Sequence, residues 1–251
     1  MITKYLIICI GGFFAAMLDA IAGGGGILSV PALSMIGLSP YFVLGTNKFA
    51  ASTSSLTSSL SFAFSKKVNM KPLKYLIPFT LIGAFLGVNT VLSINQRYLN
   101  VLVIIMILFV GIYSLFSKSM GSEYNFKGLT KINVFWGILL AFSLGFYDGF
   151  FGPGTGSFLI FGLIKIFKFD FINASGNAKV LNFVSNITSL VLFAINGKIL
   201  LIYGIPMAIF MIMGARVGAL LALKKGSKII KPIFITMSLG VAVKMLIDII
   251  L

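Results

Sequence analysis

The sequence predicts an all-α, polytopic membrane protein built from two inverted-topology repeats of about five helical segments each, with glycine-rich broken helices near the membrane midplane. Three observations carry this prediction: the composition, the lengths of the apolar runs, and an ordered likeness between the two halves whose loop charges change place. Of the 251 residues, 59% are hydrophobic and only 10% charged, where an ordinary soluble domain has about 25% charged. So few charges cannot cover a water-facing exterior, so the exterior must face lipid. The net charge of +15 would point to nucleic acid in a soluble protein. Here the basic residues sit mostly in short loops between apolar runs, where they meet anionic headgroups and set orientation. The lipid bilayer is therefore the expected partner, and nucleic acid is not.

A bilayer core of about 30 Å takes roughly 20 apolar residues in helix. Runs of that length lie at about 5 to 22, 44 to 65, 73 to 92, 98 to 117, 132 to 151, 174 to 196, 200 to 221 and 230 to 250. Two shorter runs, near 27 to 38 and 157 to 168, reach only about 18 Å as helix. Counted as crossings they make ten segments, with both termini outside; as re-entrant pieces they leave eight. The first run follows only a thin basic region and leads into Asp19 and Gly23 to Gly26, so it reads as a retained helix and not a cleaved signal.

The halves align in order. Gly45, Thr46, Asn47 and Lys48 stand 131 positions before Gly176, Asn177, Ala178 and Lys179; Phe62 precedes Phe193, and Gly83 with Gly87 precede Gly214 with Gly218, by the same offset. Asp19 and Gly23 precede Asp148 and Gly152 by 129. Loop charge then relates the halves. Lys66, Lys67, Lys71 and Lys74 crowd one loop whose counterpart has only Lys198; the next loop has only Arg97, and its counterpart has Lys224, Lys225, Lys228 and Lys231. If basic loops stay inside, the halves are inverted. The expected organisation is a first repeat over 1–117, a cytoplasmic linker over 118–131 and a second repeat over 132–251.

The candidate site follows from the breaks. Non-helical backbone at membrane depth is tolerated only inside protein or beside a watery cavity. The breaks around Gly25 and Gly26, and around Gly154, Thr155 and Gly156, each precede a short helix whose free amides and dipole favour an anion. Close helix packing is the plainer account of the same glycines. Lys48 and Lys179, with Asn47 and Asn177 beside them, supply charge and amides for an oxyanion, unless the lysines snorkel to the headgroups. Asp19 and Asp148 are candidates for carrying protons as coupling ions, or else struts for the glycine loops. Arg216 has no counterpart, since the first half places Phe85 there. Ser52 to Ser55, Thr57 to Ser59 and the matching Ser185, Asn186, Thr188 and Ser189 line a path or bond back to their own helices. Gly83, Gly87, Gly214 and Gly218 read as helix contacts.

With no histidine and one cysteine, the chain lacks the usual metal ligands and any intrachain disulfide. No metal and no cofactor is expected, and no nucleophile-base constellation marks an enzyme. No ATP-binding Gly-x4-Gly-Lys-Ser/Thr motif is present. A secondary transporter of a small anion is the leading reading, and an anion channel its nearest rival.

Ala22 to Gly26 followed by Pro31, Gly45 to Lys48, Phe151 to Gly156, and Ala174 to Asn182 together resemble the sulfite exporter TauE/SafE family, also called the 4-toluene sulfonate uptake permease family. The likeness covers nearly the whole chain. It implies a plasma-membrane transporter of sulfur-containing or organic anions such as sulfite, thiosulfate or sulfoacetate. Asn177-Ala178 departs from the Thr46-Asn47 of the first half.

Overall fold

The computed structural model describes residues 2–95, 98, 99 and 123–225, and among them every regular element is a helix. In chain order these are α1 (Ile2–Ala22), α2 (Gly26–Met35), α3 (Pro40–Phe64), α4 (Met70–Ser93), α5 (Lys131–Phe150), α6 (Thr155–Phe167), α7 (Phe171–Ile195) and α8 (Leu201–Lys225). The segments expected at about 98 to 117 and 230 to 250, together with Arg97, Lys228 and Lys231, lie outside the described residues.

Helices α3, α4 and α7 start three or four residues before the apolar run that announces them and α5 one residue before, and polar residues cap three of these starts. Asn69 accepts a hydrogen bond from the Lys71 amide, Thr130 and Asn133 cap each other reciprocally, and Asp170 accepts from the Asn173 amide at 2.7 Å. Such caps satisfy amides that the helix itself leaves free.

Five helices, α1, α4, α5, α7 and α8, are long and apolar enough to cross a membrane. Helix α3 is also long enough, at 25 residues or about 37 Å, but its serines and Lys48 make it polar. Those polar residues are mostly buried, whereas Phe85 and Leu86 on α4, Phe135 and Leu139 on α5, and Ile209, Met213 and Leu220 on α8 are exposed. An apolar exterior around a polar interior marks a multi-pass membrane protein.

The short helices double back. Gly25 lies beside Ala15 and Asp19, Gly11 packs on Ala32, and the Lys4 ammonium donates to the Ile36 carbonyl, so α2 runs back along α1. In the same way α6 returns along α5, with Gly162 on Leu140 and Phe167 against Gly137. Each short helix is the return arm of a hairpin and ends without traversing the full core.

Contacts between the halves come in reciprocal pairs. Glycines on α4 meet the α5 backbone, with Gly83 near Phe142 and Phe146, and Gly87 near Phe146 and Phe150; glycines on α8 meet α1, with Gly214 near Phe13 and Gly218 near Met17. These four glycines are helix contacts, as their spacing implies. Helices α3 and α7 run antiparallel: Gly45, near the start of α3, meets Lys198 and Phe193, and Gly176, near the start of α7, meets Lys67 and Phe62.

Candidate functional site

At the centre the two breaks touch. The Ser157 amide donates to the Gly23 carbonyl at 3.2 Å and its hydroxyl to the Ala22 carbonyl at 2.7 Å. Gly23 has a φ of +82°, and a Cβ there would fall 2.6 Å from the Gly156 Cα. Only glycine satisfies both the left-handed backbone and the close crossing. Gly26 reaches Pro153 in the same junction, and the Tyr147 hydroxyl donates to the Pro153 carbonyl at 2.7 Å.

Around this junction lies a cavity bordered by Asp19, Gly23, Gly25, Gly26, Ser29, Asn47, Lys48, Ala51, Ser54, Asp148, Gly152, Gly156, Asn182, Asn186 and Met211. About 30 Å³ is open to the centres of water-sized groups. That is space for roughly two waters.

Two ion pairs frame the cavity, each joining one half to the other. The Lys48 ammonium lies 2.9 Å from Asp148 Oδ1 and donates to Asn186 Oδ1 at 3.1 Å; the Ser185 hydroxyl donates to Asp148 Oδ2. The Lys179 ammonium lies 2.8 Å from Asp19 Oδ2, and the Gly25 amide approaches Asp19 Oδ1 at 3.4 Å. Lys48 is 2% exposed and Lys179 0%, so neither snorkels to a headgroup. Removing one partner of such a buried pair would strand a charge, at a cost of about 3 to 5 kcal/mol. The Asn47 and Asn182 carbonyl oxygens are buried and without a hydrogen-bond partner. Both are acceptors, so each can take a hydrogen bond from water or another donor but offers none to an anion.

The profile described as "Sulfite exporter TauE/SafE" matches residues 8–245. The chain belongs to the sulfite exporter TauE/SafE family. It is 37% identical over 243 residues to a "probable membrane transporter protein" of Haemophilus influenzae, covering 97% of this chain and 94% of that one. It is 35% identical over 240 residues to the "probable membrane transporter protein YfcA" of Escherichia coli, covering 94% and 88%. A further probable membrane transporter, of Sinorhizobium, is 34% identical over 239 residues, covering 95% and 91%. No solved structure matches.

In this TauE/SafE protein the candidate residues read from the sequence separate into two groups. Asp19, Gly25, Gly26, Asn47, Lys48, Asp148 and Gly156 border the cavity, and Lys179 joins it through Asp19. Gly154, Thr155 and Asn177 do not border it. Gly154 caps α6 with a left-handed backbone, and the Thr155 hydroxyl donates to the Gly152 carbonyl at 2.7 Å. Asn177 is engaged elsewhere: its oxygen accepts from the Asn69 amide at 3.1 Å and its nitrogen donates to the Asn173 carbonyl. Thr46, its repeat counterpart, accepts likewise from the Leu200 amide at 3.0 Å, so the departure from Thr to Asn keeps one structural bond.

Asn182 and Ser29 carry no role in the sequence analysis, and Ser185 and Asn186 stand there only as possible path-lining groups. Lys179, Asn182 and Asn186 follow an i, i+3, i+7 spacing, which places them on one helix face and was available as a signal. The hydroxyls of α3 mostly serve their own helix: Ser52 donates to Lys48, Ser55 to Ala51 and Ser59 to Ser55 carbonyls. Arg216 is exposed on α8 and belongs to neither ion pair.

Proposed function

We propose that the chain is a secondary transporter of small anions, with sulfur oxyanions of the size of sulfite or thiosulfate its first candidates ahead of longer sulfonates such as sulfoacetate. The observation that carries this is the placement of one fully buried lysine from each half at a small cavity where two broken helices meet, Lys48 on its wall and Lys179 behind Asp19. Transporters built from inverted repeats hold substrate near the midplane where discontinuous helices meet. The antiparallel run of α3 and α7 and the exchange of the four-lysine loop between repeats support opposite orientation of the halves.

The reading extends to coupling. In the absence of cargo each lysine is neutralised by an aspartate, so an anion can take a lysine only if that aspartate is neutralised in turn. A proton does this at least expense, and makes the proton gradient the driving force.

The test is uptake of labelled sulfite, thiosulfate and short sulfonates into proteoliposomes, with and without an imposed pH gradient. Lys179→Gln should weaken anion binding by about 1.5 to 3 kcal/mol, the range for a charged hydrogen bond, or roughly ten- to a hundredfold. A folded Lys179→Gln variant with wild-type affinity would remove that lysine from the site.

A further inference from the structure

We infer that the two ion pairs divide the work: Asp19 sits in the seat of the transported anion and leaves it on protonation, while Lys48 and Asp148 remain closed as a latch between the halves. This rests on the anion-transport reading above and goes further in naming which pair opens.

The surroundings of Asp19 are those of an oxyanion site. Its carboxylate lies between the Lys179 ammonium, at 2.8 Å, and the Gly25 amide in the break ahead of α2, at 3.4 Å. A cation and a helix-start amide are what an external oxyanion would be offered there. The aspartate is thus a tethered competitor for its own lysine.

Asp148 is held differently. Besides Lys48 it accepts from Ser185, and Lys48 is held again by Asn186. The repeat counterparts of Ser185 and Asn186 are Ser54 and Ser55, and both bond to carbonyls of their own helix, Ser54 at 3.4 Å and Ser55 at 2.7 Å to Ala51. The difference at Asn186 is written in the sequence and does not depend on conformation. Burial follows the same division: the Asp148 side chain is 4% exposed and that of Asp19 is 20%.

The charged groups facing Asp19 are few. Lys179 comes from α7; Lys48 from α3 and Asp148 from α5 stand across the cavity; α2 carries none; Lys165 on α6 and Arg216 on α8 are exposed. Opening therefore needs one proton from water on an Asp19 oxygen, after which the anion accepts the Lys179 hydrogen bonds. Lys179 with ionised Asp19 is neutral, and so is Lys179 with a monoanion and the protonated acid. One proton accompanies each anion, and a monoanion is the charge that leaves the site neutral.

The test is binding of labelled sulfite by the full-length wild-type and Asp19→Asn proteins over a pH series. Sulfite's own titration is common to both proteins and cancels in the ratio of their affinities. Asparagine mimics the protonated acid, so Asp19→Asn should stay tight as pH rises. The wild type should fall behind by about tenfold per pH unit once Asp19 ionises, the slope for one proton. Asp148→Asn should keep the wild-type slope. A constant wild-type to Asp19→Asn ratio, or loss of the slope in Asp148→Asn instead, overturns the assignment. A hydrophobic carbodiimide, which modifies protonated carboxyls, reads the same event on the unmutated protein by mass spectrometry. Sulfite should raise modification of Asp19 several-fold and leave Asp148 unchanged; equal changes at both overturn the division of work. Wild type that binds none of the anions at any pH removes the transport reading itself, a result distinct from either of these.

Discussion

Charge inside the hydrocarbon explains why so few residues define the centre of this molecule. Lys48, Lys179, Asp19 and Asp148 were legible as two repeated pairs, because ionisable residues within apolar runs are rare and each recurred at a fixed offset. Who meets whom was not legible, since an ion pair between segments a hundred residues apart is a fact of packing and leaves no local pattern. Asn177 shows the limit of adjacency. It stands two positions before Lys179, and residues two apart on a helix do not share a face. Its buried amide supports the loop before α4 instead. Asn177→Thr should therefore preserve transport and thermal stability, because threonine does the equivalent task at position 46. Asn177→Ala should lower stability in detergent by about 1 to 3 kcal/mol through the stranded Asn69 amide, without a specific change in anion affinity.

Among the helices, intrinsic preference and packing make opposite demands. Alanine is favoured over glycine in a helix by about 1 kcal/mol, so propensity alone has Gly83→Ala and Gly214→Ala stabilising. At Gly83, however, an added Cβ would lie 2.7 Å from the Phe146 nitrogen, and at Gly214 it would lie 2.9 Å from the Phe13 carbonyl carbon. Both variants should lose about 1 to 3 kcal/mol by separating parallel helices that touch backbone to backbone. Thermal melting in detergent decides by sign: a gain at either position would mean the contact is loose. Segment positions and the short lengths of α2 and α6 were readable from apolar runs, though their starts were read late where capping residues are polar. The direction of the short helices was not readable, since a run of a dozen apolar residues fits a partial crossing or a hairpin arm equally. Contacts from Lys4 to Ile36 and from Leu140 to Gly162 decide for the hairpin arm.

For the whole molecule, the orientation of the halves has a direct check. With Cys9 replaced by alanine, single cysteines at Lys71 and Lys228 should be shielded from an impermeant thiol reagent applied outside intact cells, and cysteines at Arg97 and Lys198 should react. Equal labelling at 71 and 97 would dismiss the inverted arrangement. The order of the repeat motifs already implied two related halves, while their interlocking required coordinates.

The reciprocal pairing of Lys48 with Asp148 and of Asp19 with Lys179 is one contact made twice, as at the interface of a symmetric dimer, where residue i meets j and j meets i. Neither half carries within itself the partner that its own buried charge uses. An isolated half inserted alone would leave an ammonium and a carboxylate without these counterions, whereas two copies of one half, threaded in opposite senses, would satisfy all four. The single chain thus has the contact plan of a symmetric dimer of halves. Covalent linkage allows what identity forbids: one copy of the contact carries Asn186 where the other has Ser55, so the Lys48 ammonium has a second side-chain acceptor.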